Sequence, residues 1–281
     1  MVKITNKKCQ YGLNVVLFLI VCIPIIPIGE VMTPFRRGFF CNDDTIKYPY
    51  YDKDTIPTWL LLLLGAAIPC VAIIFVEIGL FRDAKKKQIC FIICIFLFGM
   101  ATTNLLTQTT KLMIGRLRPH FLTVCKPDYT KFNCSDGYIE ADVCSDEYKA
   151  KTIREARLSF VSGHSSMAWY CALYLVLYLE VRFTWKISRL VKPVLQIALL
   201  MLALMCSLSR ISDYKHHWSD VLGGSLLGVI VAVLTYQYVS DLLKMALPLE
   251  KRQEDSLEID YREEEAYILR GDRDTTYYGG Q

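Results

Sequence analysis

Charge is scarce in this sequence. Asp, Glu, Lys and Arg make up 21% of the 281 residues, and the formal net charge is only +4. No stripe of one sign is present, which speaks against a nucleic-acid partner. No internal repeat is visible, so a solenoid or propeller is excluded. The first apolar run follows Lys7 and Lys8 and has no small-residue cleavage site after it, so it reads as a retained span rather than a secretory signal. The eleven cysteines do not form a secreted disulfide scaffold. Cys22, Cys70, Cys90, Cys94, Cys171 and Cys206 all lie inside apolar runs and read as small core residues.

Apolar length is what the chain has in abundance. Hydrophobic residues reach 53%, and the mean hydropathy is +0.29. Six runs, at 11–29, 57–80, 89–110, 165–181, 193–209 and 221–240, approach the roughly 20 residues needed to cross a hydrocarbon core. An all-α, polytopic membrane protein with six transmembrane helices is therefore expected. It divides into a tail at 1–10, a six-span domain at 11–242 and a charged, disordered tail at 243–281 containing YREEEAY. Gly224 and Gly228 form a GxxxG pair suited to close helix packing.

Basic residues orient the spans. Lys3, Lys7 and Lys8 precede the first. Arg82, Lys85, Lys86 and Lys87 join the second to the third, and Arg182, Lys186, Arg189 and Lys192 join the fourth to the fifth. These segments, and both termini, are expected in the cytoplasm. The loops 30–56 and 111–163 then face outward. There they hold a glycosylation sequon at Asn133-Cys134-Ser135 and an even set of cysteines, Cys41, Cys125, Cys134 and Cys144, available for disulfides.

That topology gathers three polar clusters on the outer face: KLMIGRLRPHF from Lys111, SFVSGHSS from Ser159, and SRISDYKHHWSD from Ser209. Polar groups at helix ends near a membrane usually belong to a site or an interface. Lys111, Arg118 and Arg210 suit a compact, multiply charged anion, and arginine can grip phosphate oxygens with two donors. Ser162 and Gly163 at a helix start offer a hydroxyl and free N–H groups to the same anion. His164 and one of His216 or His217 can supply proton transfer and nucleophilic attack. If residues 214–222 open the last helix, His216 and Asp220 share a face at i and i+4. His217 can still reach Asp220 or Asp213, so spacing only favours His216.

Lys111-x6-Arg118-Pro119, Ser162-Gly163-His164 and Ser209-Arg210-x5-His216-x3-Asp220 resemble the three signature motifs of the type 2 phosphatidic acid phosphatase superfamily, which vanadium haloperoxidases share. RRGFFCNDDTIKYPY, NCSDGYIE and ARLSFVSGHSS extend the resemblance to the animal lipid phosphate phosphatases, over about residues 30–242. Val161 departs from the pattern, which usually has proline there. The resemblance implies that His216 forms a phosphohistidine, that Asp220 orients and polarises it, and that His164 is first general acid and then general base. It implies that Lys111, Arg118, Arg210, Ser162 and the Gly163 amide hold the phosphoryl oxygens. It further implies Mg²⁺-independent hydrolysis of phosphatidic acid, lysophosphatidic acid, ceramide 1-phosphate or sphingosine 1-phosphate at an outward-facing site in the plasma membrane, without a cofactor. His120 and His217 receive no role, and a homo-oligomer is left open.

Rival chemistries fit less well. Cysteine phosphatases need C-x5-R, which is absent. Asp43-Asp44 and Asp52-x-Asp54 are the nearest approach to a carboxylate metal site, but no histidine is near them in sequence, and they read as a solvated loop. Asp52-Lys53-Asp54-Thr55-Ile56 lacks Thr or Val at the fifth place of an aspartyl-phosphatase motif, and no strand precedes it. A haem protein with His164 and His216 as axial ligands would leave Lys111, Arg118 and Arg210 unexplained. A catalytically silent lipid-phosphate binder or anion transporter would not need Asp220 behind His216.

Overall fold

The computed structural model describes residues 7–30, 32–80, 86–140, 143–145, 147–183 and 188–239. The expectations for Lys3, Arg82, Lys85, Lys186 and the whole C-terminal tail, 243–281, lie outside them. The chain is built from α1 (Lys7–Cys22), α2 (Ile25–Glu30), α3 (Thr58–Leu80), α4 (Lys86–Ile114), α5 (Phe121–Cys125), α6 (Ala150–Glu155), α7 (Gly163–Arg182), α8 (Val191–Ser212) and α9 (Trp218–Leu234). A short π-helical turn, Thr235–Val239, prolongs α9.

Four of these are long and apolar enough to cross a membrane: α3, α4, α8 and α9 with its extension to Gln237. The first and fourth of the six expected spans differ for physical reasons. Helix α1 ends at Cys22 after 16 residues, because Pro24 disfavours helical backbone at Ile23. Helix α7 has 20 residues, about 30 Å at helical rise, but it is less apolar. It packs against α3, α4, α8 and α9, so protein rather than lipid surrounds it. Tyr170, Tyr174 and Tyr178 are therefore buried along it, and the Tyr170 hydroxyl donates to Phe96 O at 2.7 Å. The outer helices reverse this pattern. Trp59, Leu63, Val71, Phe75 and Ile78 on α3, and Val194, Ile197, Met201 and Met205 on α8, are each more than half exposed. Such a belt is a liability in water and ordinary in hydrocarbon.

Arg182, counted from sequence among the basic residues of a cytoplasmic loop, is instead buried at the end of α7. Its Nε and Nη2 donate to Glu77 Oε1 and Oε2 of α3 at 2.8 and 2.7 Å, and the Tyr178 hydroxyl donates to Glu77 Oε1 at 2.9 Å. A carboxylate this deep is retained only with a bidentate partner.

Helix α9 lies directly on α7 through the glycine pair. A Cβ on Gly224 would stand 2.4 Å from Ser162 O, and one on Gly228 would stand 2.2 Å from Ser166 O. Gly224→Ala should push α9 away from the start of α7. Overpacking of this kind costs about 1–3 kcal/mol, so a lower thermal midpoint and reduced activity are expected together. Wild-type values of both would show that the crossing tolerates a methyl group.

The segments before α3 and after α4 fold into one cap. Strand β1 (Phe39–Phe40) pairs antiparallel with β2 (Tyr138–Ile139), Phe39 opposite Ile139. Disulfides join Cys41 to Cys134 and Cys125 to Cys144, a pairing the sequence left open. Phe39, Ile46, Leu117, Phe121, Val124 and Val143 form a second apolar core beneath them. The cap meets the connection between α8 and α9, with His120 Nδ1 2.8 Å from Tyr214 O and His217 Nε2 3.3 Å from Thr45 O.

Candidate active site

Lys111 lies in the last turn of α4. Gly115 then takes φ +55°, and a Cβ there would meet Phe35 O at 2.0 Å, so only glycine lets the chain turn under the cap. The turn delivers Arg116 and Arg118 to the segment before α7. Arg118 N donates to Ala156 O at 2.8 Å, and Ser159 N donates to Arg116 O at 2.9 Å. Ser162 caps α7, its side chain accepting from Ser165 N, and its own N–H donates to Asp220 O of α9 at 3.0 Å. Lys111 Nζ would lie 3.4 Å from a Cβ added at Gly163, so the first two motifs meet at the start of α7.

The third motif closes the ring. After α8, Tyr214 takes φ +51°. The N–H groups of Lys215 and His216 both donate to Arg210 O, at 3.1 and 3.2 Å, which folds His216 back over Arg210. His120 stabilises this turn, with Nδ1 2.8 Å from Tyr214 O. A carbonyl only accepts, so Nδ1 carries the proton. Burial first, and the Arg118 charge next, push the His120 pKa down to about 3, so the ring stays neutral.

The structure corrects the expected placement of His216. Helix α9 begins at Trp218, so His216 precedes it and does not share a helical face with Asp220. His216 Nδ1 stands 3.9 Å from Asp220 Oδ2, beyond hydrogen-bonding distance, and has no hydrogen-bond partner among the described residues. The carboxylate turns instead to the residues that cap its helix, where an acidic side chain near the N-terminus is favoured. His217 N donates to Asp220 Oδ2 at 3.0 Å, and the His217 ring Nδ1 is 3.1 Å away. Two residues missed from the sequence complete the shell. Arg116 Nη1 donates to Asp220 Oδ1 at 2.6 Å, and Ser159 Oγ donates to Oδ2 at 2.5 Å. Both lie within the resembling segments, but nothing in their spacing marked them.

Electrostatics separate the two histidines. Burial first, then the charges of Arg118 and Lys111 and the His164 ring, lower the His216 pKa well below its ordinary value. His216 is thus a neutral imidazole among the predicted anion ligands. His217 faces away, into a cavity of about 520 Å³ lined by Arg37, Thr45, Arg116 and Tyr138. Its Nε2 lies 3.3 Å from Thr45 O.

Arg210 is 1% exposed. Its Nη2 donates to Asp213 Oδ2 at 2.8 Å, and its Nε donates to Ser209 Oγ at 3.2 Å. Arg118 has a buried Nε with no hydrogen-bond partner among the described residues. Burial lowers its pKa, and the fields of Glu155 and Asp54 oppose that. The segment before α3 straps the cluster. Thr55 donates through N and Oγ1 to Asp213, at 2.9 and 2.6 Å. His164 Nε2 lies 3.0 Å from Ile56 O, which fixes its proton on that nitrogen. The solvated reading of Asp52-x-Asp54 holds for exposed Asp52 but fails for Asp54, which faces Arg210 and Lys215 at 3.4 and 3.6 Å. Asn133 stands exposed on the cap, with Oδ1 accepting from Ser135 N at 3.1 Å.

Lys111, Arg118, Ser162, Gly163, His164, Arg210 and His216 thus surround one polar centre at the end of α4, the start of α7 and the end of α8. The PAP2 superfamily matches residues 92–244, which contain all of them. Phospholipid phosphatase 1 of Rattus norvegicus is 44% identical over 257 residues, covering 87% of this chain and 89% of that protein. Phospholipid phosphatase 2 of Mus musculus is 42% identical over 258 residues, covering 87% and 91%. A putative phosphatidate phosphatase of Drosophila melanogaster is 38% identical over 271 residues, covering 85% and 71%. No solved structure matches the chain. With the superfamily match spanning more than half of its length and these relatives nearly all of it, the chain belongs to the PAP2 superfamily.

Proposed function

We propose that the chain is a membrane lipid phosphatase that hydrolyses the phosphomonoester of phosphatidic acid, lysophosphatidic acid, ceramide 1-phosphate or sphingosine 1-phosphate through a phosphohistidine. The observation that carries a lipid substrate is an apolar groove of about 170 Å³ between α3, α7 and α8, lined by Leu60, Leu64, Ala172, Leu199 and Leu202 and reaching Ile56. The Ile56 carbonyl is the group that meets His164. A phosphate among the cations therefore has a hydrocarbon path directly beneath it.

In this reading a ring nitrogen of neutral His216 attacks phosphorus as the bond to the lipid oxygen breaks. A proton taken up on His164 Nδ1 together with the substrate passes to the departing alkoxide, while Nε2 keeps its own proton on Ile56 O. His164 then takes a proton from water as the water displaces His216 from phosphorus, releasing phosphate. Lys111, Arg118, Arg210, Ser162 Oγ and the Gly163 N–H stabilise the equatorial oxygens, the main task in phosphoryl transfer. Asp220 acts on His216 at one remove, its carboxylate held by Arg116 and Ser159.

The reading includes six spans, with α1–α2 and α7 joining the four long apolar helices. It also includes cytoplasmic termini and a cap facing the outside of the plasma membrane. The disulfides of the cap support an oxidising compartment. Asn133 should carry a glycan in a competent host, and Asn133→Gln should lower the mass without changing turnover. Unglycosylated wild type from such a host would count against this orientation.

Purified protein given a panel of lipid phosphates in excess EDTA tests the whole proposal. Full turnover is expected, because the cations of the site already supply the charge that a metal would bring. Vanadate should inhibit by occupying the cradle as a trigonal-bipyramidal mimic. Loss of activity in EDTA with recovery in Mg²⁺ would sink the mechanism. Lipid binding without phosphate release would favour a silent relative.

A further inference from the structure

Arg210 is expected to hold a phosphoryl oxygen, yet most of its donors are committed. Nη2 binds Asp213 and Ser209, and Nε binds Ser209. The remaining nitrogen, Nη1, faces Asp54 Oδ1 at 3.4 Å. The same oxygen stands 3.6 Å from Lys215 Nζ and is buried with no hydrogen-bond partner among the described residues. Asp54 also acts through space on Arg118 and His164. A carboxylate is thus aimed at Arg210, a cation meant for phosphate, and at Lys215 beside it, from a strap pinned on both sides. Lys215 donates to Tyr51 O, and Thr55 donates to Asp213.

We propose that Asp54 is a built-in counter-ion that competes with phosphate for Arg210 Nη1 and Lys215 and so limits how tightly product phosphate is retained. The inference rests on the phosphatase reading of the site. Before substrate arrives, Asp54 offsets the clustered positive charge. When a phosphate dianion enters, the two anions share one set of donors and repel each other. The lipid ester regains that loss through its hydrocarbon chain, and free phosphate cannot. Asp54 therefore discriminates against the product and speeds its departure.

The sign of the effect separates this role from a structural one. Loosening the strap would weaken anion binding, whereas removing a competitor strengthens it. Calorimetric titration of inorganic phosphate and of vanadate into the full chain tests this with wild type, Asp54→Asn and Asp54→Glu. Unit charges a few ångströms apart at a partly screened site interact strongly enough that Asp54→Asn should bind phosphate at least about tenfold more tightly. With a lipid phosphate it should release lipid alcohol in a burst followed by slow turnover, as phosphate exit becomes limiting. Asp54→Glu should stay near wild type. Asp52→Asn removes the same charge from an exposed neighbour and should leave the affinity unchanged. Equal or weaker phosphate binding by folded Asp54→Asn would overturn the proposal, and so would equal tightening in Asp52→Asn. If Asp54→Asn fails to fold, Asp54→Ser carries the same expectation. A wild type that binds phosphate but releases none from lipids would refute the phosphatase reading and still leave the affinity comparison decisive.

Discussion

His216→Ala should abolish phosphate release from every ester, while His217→Ala should keep it within about tenfold of wild type. The first substitution removes the atom that bonds to phosphorus, so no change of leaving group can rescue it. Loss of a nucleophile of this kind is on the order of 10⁴-fold or more. The two rings are adjacent in sequence but face different surroundings. His216 is 4% exposed and lies in the combined field of Arg118 and Lys111. Burial first, and that field next, lower its pKa and leave the ring neutral with a free lone pair. His217 is closer to Asp220 than His216 is, at 3.1 against 3.9 Å, and proximity to a carboxylate alone would have selected it. Its other nitrogen, however, is directed to Thr45 O, away from the cations. Replacing it by alanine preserves the backbone N–H that binds Asp220, and Arg116 and Ser159 still hold the carboxylate. Brief reaction with a ³²P-labelled lipid phosphate, followed by denaturation at alkaline pH, should leave acid-labile label on wild type and on His217→Ala but not on His216→Ala. Label that survives in His216→Ala and disappears in His217→Ala would reverse the assignment.

How much of this was legible from residues alone depended on how local the signal was. The runs that became α3, α4, α8 and α9 could be read because unbroken apolar length is a property of the chain itself. The break after α1 was also written locally, in Ile23-Pro24, and the expected span 11–29 ran through it. Helix α7 appeared as one more span, although its tyrosines already marked it as the helix enclosed by others. The three motifs meet at one end of the helix bundle, where Lys111 Nζ approaches Gly163 and Ser162 N donates to Asp220 O. The orientation of Asp220 was not legible, because it depends on where α9 starts, and one turn of extra helix would have put His216 on its face. Arg116 and Ser159 were hidden for a related reason. Their importance comes from reaching a carboxylate 104 and 61 residues away, and no periodicity encodes such a contact. Asp54 looked like an ordinary acidic loop residue until the strap folded onto Arg210. Which cysteines pair was equally a property of the folded cap.

His164→Ala should hydrolyse lipid phosphates very slowly yet produce a burst of close to one nitrophenol per site from p-nitrophenyl phosphate. A lipid alkoxide is a poor leaving group and needs a proton as it departs, whereas nitrophenolate is stable without one. The first chemical step therefore loses its dependence on His164 when the ester is aromatic. The second step does not, because the same ring activates the water that frees His216. Phosphohistidine should accumulate, visible as acid-labile phosphate on the mutant long after the burst. Geometry makes His164 suited to this exchange. Its Nε2 proton is engaged by Ile56 O at 3.0 Å, which fixes the ring and leaves Nδ1 as the nitrogen that can gain and lose a proton. Ile56 also lines the apolar groove, so the residue that orients the acid borders the proposed lipid path. General acid–base assistance of this kind contributes about 10²–10⁴-fold. The lipid rate should fall within that range, and the burst rate with the aryl ester should stay near the wild-type rate. Equal losses with both esters and no burst would mean that His164 serves mainly to bind phosphate rather than to move protons.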